Sequence, residues 1–225
     1  MGQRVILTGA RGLIGASMSE FLQGNGWQVL ELDLALGHDL SDEGFVREWF
    51  AAHRAGALVN LFALNHHVSP GALPASYLDI DLLEMGRYLE TNVTTLFSVC
   101  REYVRNNESG SVVNFSSIYG IRAPRRDLYE GGEKHVGYGV SKAAVISLTQ
   151  HLAILAAPRV RFNCIVPGGI QAEQGGSFID GYNSRTLLNR MATPADLFPI
   201  VELLLSDRGA YMTGSVIHVD GGWLT

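Results

Sequence analysis

The sequence predicts an α/β fold in which one domain, residues 1–225, is built on a doubly wound parallel sheet. Three observations predict it. Short apolar runs alternate with helical patterns along the chain, the order that winds helices over a parallel sheet. One run, 57–62, is almost unbroken in its apolar character, which suits a strand covered on both faces. The 225 residues, 47% hydrophobic and 17% charged, are enough chain for one sizeable packed core and too apolar for a disordered one.

Each element follows from its pattern. Arg4–Leu7 reads as a strand, Leu13–Gln23 as a helix and Gln28–Asp33 as a second strand. Ser41 is a candidate cap for a helix reaching about His53, and 57–62 is the next strand. A long helix is expected over about Asp81–Arg105, then a strand at Ser111–Phe115. Tyr138 to about Ala156 forms a helix with Val145, Leu148, Leu152 and Leu155 on one stripe, stopped by Pro158. Arg159–Ile165 and Ser215–Val219 supply the last strands. Only about five residues separate the second strand from Asp39-Leu40, whereas a parallel crossover with its helix needs roughly 10–12. One crossover helix near residues 34–39 is therefore missing, and any strand near His38 is a stub or stands outside the sheet.

The formal net charge of −5, from 17 basic and 22 acidic residues, offers no general attraction for nucleic acid or anionic lipid. Phosphate recognition must be local. Cys100 and Cys164 have no metal-ligand spacing and make no disulfide framework, so no metal and a reducing, cytoplasmic location are expected. The N-terminus reaches a glycine turn too soon for a signal peptide, and Ile6 stands where a myristoylation pattern wants Ser or Thr. The uncharged run after Lys142 is broken by Ser147, Thr149, Gln150 and His151, which suits a buried helix rather than a membrane span.

The first chemical feature is Thr8-Gly9-Ala10-Arg11-Gly12-Leu13-Ile14-Gly15, after a strand and opening a helix. Glycines there allow a tight turn and close approach of backbone to a pyrophosphate, while the helix N-terminus offers N–H groups to the anion. A ligand-free glycine turn reads the same until Asp33 is added at the end of the next strand, where a carboxylate can bond the adenosine ribose. The second is Tyr138-Gly-Val-Ser-Lys142: four residues apart on a helix, phenol and ammonium share a face. The cation is expected to lower the tyrosine pKa toward working pH and make Tyr138 a general acid or base. The third is Ser117, at a strand C-terminus where doubly wound sheets open their ligand crevice; a serine closing a strand is the plainer alternative. Asn92, a poor helix former within the long helix, needs a reason, and a satisfied core amide would supply one.

With these residues in this order, the chain resembles the short-chain dehydrogenase/reductase family over its whole length. The resemblance includes Asn92 in Glu-Thr-Asn-Val-Thr-Thr-Leu-Phe, Asn163-Cys-Ile-Val-Pro-Gly-Gly-Ile170 and the closing Thr213-Gly-Ser-Val-Ile-His-Val-Asp-Gly-Gly222. It implies a Rossmann-type fold and a catalytic set of Asn92, Ser117, Tyr138 and Lys142. Ser117 would orient the substrate, Tyr138 exchange the proton, Lys142 lower its pKa and hold the nicotinamide ribose, and Asn92 support a water relay. The implied cofactor contacts are Gly9, Arg11, Gly12, Leu13, Ile14, Gly15, Asp33, Asp39, Leu40, Tyr138, Lys142, Pro167, Gly168 and Ile170. NAD is favoured over NADP because Asp33 would repel a 2′-phosphate, although Arg11 could pair with one. A homo-oligomer, tetramer or dimer, is implied, with Val93, Leu96, Phe97 and Cys100 as an apolar face.

The glycine spacing is similar to that of the extended, epimerase-like branch, whereas the C-terminal half is similar to the classical branch. Asn60-Leu-Phe-Ala-Leu-Asn65 replaces the family's Asn-Asn-Ala-Gly, and Gln171-Ala-Glu stands where a threonine is common. Between Ser117 and Tyr138 lies a long loop whose Arg122, Arg125 and Arg126 are candidates for an anionic substrate group, or for surface pairs with Asp127, Glu130 or Glu133. The loop is similar to those of sugar-acid and flagellin-glycan oxidoreductases. His66 and His67 could line the same cleft, and with His135 are otherwise read as solvated loop histidines. The expected activity interconverts an alcohol and a carbonyl on a polar small molecule. A nucleotide-sugar epimerase or dehydratase with tightly held NAD and a non-catalytic dinucleotide sensor are the alternatives.

Overall fold

The computed structural model describes residues 3–65, 76–129 and 133–225. Six parallel strands form one sheet in the order β2-β1-β3-β4-β5-β6. They are β1 (Arg4–Thr8), β2 (Gln28–Leu32), β3 (Ala57–Asn60), β4 (Gly110–Phe115), β5 (Val160–Pro167) and β6 (Val216–Val219). Helices α1 (Leu13–Gly24), α2 (Glu43–Ala52), α3 (Leu82–Leu89), α4 (Thr95–Asn106), α5 (Val136–Ala156), α6 (Gly176–Asn183) and α7 (Phe198–Leu205) pack around it. Successive strand residues point to opposite faces, so the core divides in two. Ile6, Leu58, Val112 and Phe162 face the layer that contains Val99 of α4 and Val145 of α5. Val5, Leu7, Val59, Val113 and Ile165 face Met18 of α1 and Val201 of α7. The long apolar helix expected to lie in the core is α5, which packs along β5 and β4.

The predicted economy after β2 is present. Residues Leu34–Leu36 make one 3-10 turn, capped by Asp33, whose Oδ1 accepts the Ala35 N–H at 2.8 Å. Gly37, at φ +81°, then reverses the chain into the approach to α2. Among the described residues β2 is the sheet edge, where doubly wound sheets commonly add another strand.

Several boundaries differ from the sequence reading, each for a local reason. The cap of α2 is Asp42 rather than Ser41: Asp42 Oδ1 accepts the Gly44 and Phe45 N–H groups at 2.8 and 3.1 Å, and its charge complements the helix dipole. Ser41 instead donates to Asp39 at 2.7 Å. The long helix of 81–105 is three pieces, α3, a π-turn at Glu90–Thr94 and α4. Helix α5 starts before Tyr138 because His135 caps it, with Nδ1 accepting the Gly137 N–H at 3.0 Å. On α4, Leu96 and Cys100 are buried within the chain and only Phe97 of that pair's face is exposed, at 41%. That burial answers the apolar pattern without a second subunit at those two positions.

Candidate active site

The C-terminal ends of β1, β2, β3 and β4 converge on one edge. At β1, Gly9 has φ +68°, and a Cβ there would lie 2.5 Å from the Phe62 backbone nitrogen. A Cβ on Gly15 would collide with the Gly9 carbonyl oxygen. Both glycines are therefore demanded by packing. Gly12 caps α1 without a side chain, so among the described residues no side-chain acceptor covers the first-turn N–H groups of Leu13 and Ile14. Asp33 Oδ2 accepts the Arg11 N–H at 2.9 Å, tying the turn to the end of β2. The Arg11 guanidinium is paired with Glu31, which also accepts from Ser19 at 2.6 Å. A bare backbone cradle, an open helix N-terminus and a carboxylate beside them fit a dinucleotide. Asp39 is exposed and Leu40 is buried.

Ser117 follows β4 and caps a 3-10 turn at Ile118–Gly120, its Oγ accepting the Tyr119 N–H at 3.1 Å. This turn lies directly on α5. A Cβ on Gly139 would stand 2.9 Å from the Tyr119 carbonyl oxygen, and one on Gly120 would stand 2.7 Å from the Lys142 carbonyl carbon. Ser116 Oγ seals the contact by donating to the Lys142 carbonyl at 2.7 Å. The result brings the Ser117 hydroxyl beside the Tyr138 phenol. Lys142 Nζ donates to the Phe115 carbonyl at 2.9 Å and lies 5.9 Å from the Tyr138 ring centroid.

Burial sets the charges. It pushes the Tyr138 phenol up to about 12, against a lowering by the Ser117 hydrogen bond. Burial pulls Lys142 down to about 8. Where the motif pointed to a lowered Tyr138 pKa, burial raises it instead, because desolvation disfavours the charged forms of both groups.

Asn92 lies in the π-turn, 2% exposed. Its Oδ1 accepts the Leu64 N–H at 2.7 Å, and its Nδ2 donates to the Leu64 carbonyl at 3.1 Å and to Ser141 Oγ at 2.9 Å. The amide clamps the chain after β3 to α5, so its side chain is a positioning group rather than an open relay. A buried polar ladder runs beneath: Thr8 donates to Asn60, Asn60 to Asn114 at 2.8 Å and Asn114 to Thr149 at 3.0 Å. At β5, Pro167-Gly168-Gly169 is fixed by Tyr182, whose ring a Cβ on Gly169 would meet at 2.8 Å. Ile170 bridges Ala192 through its neighbours' backbone groups, and its carbonyl accepts from Gln174 at 3.0 Å. Its N–H is directed away from the bridge.

The loop arginines have internal partners. Arg122 donates to the Leu224 carbonyl at 3.1 Å, Arg125 pairs with Asp127 at 3.1 Å and Arg126 with Glu133 at 2.6 Å. Arg125 and Arg126 line a cavity of about 510 Å³ whose α5 wall is Val136, Gly139, Val140 and Ala143. At 100° per residue, those positions lie well round the helix from Tyr138 and Lys142. The substrate role expected of Arg122, Arg125 and Arg126 therefore gives way to fastening the loop. His135 is also corrected: it is 2% exposed and stacks on Tyr88 with centroids 4.5 Å apart. His66 and His67 lie outside the described residues.

Sequence reasoning missed Glu31, Gly139 and Lys134. Lys134 Nζ stands 4.7 Å over the Tyr138 ring centroid and donates to Asn65; burial pulls it down to about 8. The available signal was composition: of 17 basic residues only Lys134 and Lys142 are lysines.

A family model described as enoyl-(acyl carrier protein) reductase matches residues 2–224. The chain belongs to the short-chain dehydrogenase/reductase family. It is similar to an uncharacterized short-chain type dehydrogenase/reductase of Sinorhizobium fredii, 28% identical over 100% of this chain and 44% of that one. It is also similar to 3-oxoacyl-[acyl-carrier-protein] reductase FabG of Chlamydia muridarum, 30% identical over 62% of this chain and 56% of the relative. The chain thus spans about half the length of these curated relatives. A short-chain dehydrogenase of Leptospira borgpetersenii with bound NAD+ shares the fold at TM-score 0.85 and 26% identity, covering 99% of this chain and 93% of that one. Solved structures of this fold hold NAD+ or NADPH.

The buried lysine yields a stability test. Lys142 keeps its proton to about 10.4 when unfolded but only to about 8 when folded. Between those values the unfolded state binds more protons, so stability rises with pH. The stability of Lys142→Met relative to the parent should therefore be highest below pH 8 and decline toward pH 10. Urea unfolding at pH 7, 8.5 and 10 measures this, and a constant difference contradicts it.

Proposed function

We propose that the chain is an NAD(H)-dependent oxidoreductase that interconverts an alcohol and a carbonyl on a polar or anionic small molecule. The observation that carries this reading is the packing of the Ser117 turn against the α5 turn that holds Tyr138 and Lys142, on the same sheet edge as the bare glycine cradle. A nicotinamide dinucleotide, when bound, supplies or accepts a hydride at its ring C4. Gly9, Gly12 and the N–H groups of Leu13 and Ile14 would hold its pyrophosphate, Asp33 its adenosine ribose, Lys142 its second ribose and the Ile170 N–H its carboxamide. Asp39, Leu40, Pro167 and Gly168 would complete the walls.

Tyr138 then has one task, proton exchange with the substrate oxygen at Oη, and its high pKa makes it a proton donor in the direction of carbonyl reduction. Ser117 Oγ orients the same oxygen. Lys142, buried against the phenol, favours the phenolate whenever it is itself charged. Asn92 keeps α5 and the chain after β3 in register. The name of the Chlamydia relative favours a second reading, reduction of a 3-oxoacyl thioester. Assays with NADH on oxo-acids and a 3-oxoacyl thioester, and with NAD+ on hydroxy- and sugar acids, separate the two.

Tyr138→Phe should lower turnover by about 10²–10⁴-fold, the usual contribution of a general acid or base. Cofactor affinity, followed by NADH fluorescence, should stay within about threefold. Near-normal turnover in this variant would assign the proton to another group.

NADH should bind at least about tenfold tighter than NADPH. Asp33 and Glu31 both meet the adenosine end, Glu31 already occupies Arg11, and a 2′-phosphate there adds like charge. Competitive titration checks this, and Asp33→Asn should narrow the gap. Tighter NADPH binding in the parent would overturn the preference.

A further inference from the structure

We infer that Tyr182 is a positioning residue for the nicotinamide end of the cofactor: its hydroxyl pins the Gly168-Gly169 backbone and so aims the Ile170 N–H at the carboxamide. The inference rests on the reading that this N–H meets the carboxamide. Along Gly168–Gln171 the backbone donors are almost all taken. Gly168 donates to the Val219 carbonyl at 2.9 Å, Gly169 to Tyr182 Oη at 2.5 Å and Gln171 to the Ala192 carbonyl at 2.8 Å. Among the described residues, the Ile170 N–H alone in this run has no acceptor.

The direction of that N–H is set by the two peptide planes on either side of the Gly169 Cα. In a trans peptide the C=O and the following N–H point opposite ways. The Gly169 carbonyl accepts the Ala192 N–H at 2.9 Å, so the Ile170 N–H is turned away from Ala192. A glycine places little restriction on the two rotations that join this plane to the one before it. The earlier plane therefore needs a pin of its own, and Tyr182 Oη supplies it by accepting the Gly169 N–H. The phenol is itself held fast. Its ring lies against both glycines, where a Cβ on Gly169 would stand 2.8 Å from Cε2 and one on Gly168 would stand 3.0 Å from Oη. It stacks on Trp223 with centroids 4.2 Å apart and planes at 13°, and it is 2% exposed. Helix α6, which carries it, is fastened to the loop after Ser117: Phe178 lies against Tyr129 with centroids 5.6 Å apart, and Arg185 pairs with Asp127 at 2.6 Å. Without the hydroxyl, the Gly169 N–H would face an aromatic ring with no acceptor, and the turn would rotate toward one.

The experiment compares the full chain with Tyr182→Phe, which keeps the ring and its stack, and uses NAD+ and ADP-ribose as ligands, the second lacking the nicotinamide. In protein labelled with ¹⁵N-isoleucine, with the Ile170 resonance assigned by Ile170→Val, the parent's Ile170 amide proton should shift downfield with NAD+ and not with ADP-ribose. Tyr182→Phe should shrink that shift and lower the NAD+-to-ADP-ribose affinity ratio by about threefold to tenfold, the effect of one hydrogen bond, with ADP-ribose affinity unchanged. Tyr103→Phe is the control for loss of a buried tyrosine hydroxyl. Tyr103 donates to the Ala55 carbonyl at 3.0 Å beside the N-terminal end of β3, so this variant should lose thermal stability and keep the ratio. An unchanged ratio or an unchanged Ile170 shift in Tyr182→Phe overturns the inference, and so do equal losses for the two ligands, which would make the phenol a packing group only. A parent Ile170 amide that responds alike to both ligands refutes the carboxamide reading itself, and the inference with it.

Discussion

The site depends on one close contact, the laying of the Ile118–Gly120 turn against the first turns of α5. Two backbones can approach this closely only where neither carries a side chain, and Gly120 and Gly139 supply the gaps. Ser116 locks the contact from below through the Lys142 carbonyl. Ser117 and Tyr138, on different elements and 21 residues apart in sequence, are thereby brought side by side. Without that contact, the strand end and the helix would still form, but their hydroxyls would have no fixed relation.

Beneath the contact, polar groups do structural work that an apolar core would not. Thr8, Asn60, Asn114 and Thr149 link β1, β3, β4 and α5 through one buried chain of donors and acceptors. Each member satisfies the next, so removing any one leaves a buried group unmet, at a cost of about 1–3 kcal/mol. The ladder fixes strand ends at the level where the glycine cradle and Ser117 emerge. Asn92 performs the corresponding task on the other side, bonding both backbone groups of Leu64 and reaching Ser141 on α5. The π-turn around it is the local departure from α geometry that accompanies this clamp.

Much of this was legible in the sequence. Apolar periodicity gave the six strands, and the short spacing after Asp33 gave the missing crossover, because chain length alone forbids a helix there. The glycine turn, Ser117, Tyr138 and Lys142 were legible because each has a residue type that its backbone or chemistry requires. The sign of the Tyr138 shift was not, since burial is a property of the whole fold and exceeds the pairing seen in a five-residue motif. The loop arginines misled for a related reason: their partners Asp127 and Glu133 lie close in sequence, yet only the folded loop decides between pairing and exposure. The 3-10 turn Pro194–Leu197 that leads into α7 carried a readable signal in Thr193-Pro-Ala-Asp196, where the Thr193 N–H donates to Asp196 at 2.7 Å. Gly139 was opaque, because its meaning comes from an element distant in the chain.

The most direct test of the central contact is turnover of Gly139→Ala alongside its thermal unfolding and NADH affinity. Alanine favours a helix interior over glycine by about 1 kcal/mol, which offsets part of the strain from a Cβ placed 2.9 Å from the Tyr119 carbonyl oxygen. The contact predicts a folded protein that binds NADH normally and turns over at least about tenfold more slowly, because Ser117 and Tyr138 have moved apart. Unchanged turnover with unchanged stability would contradict it.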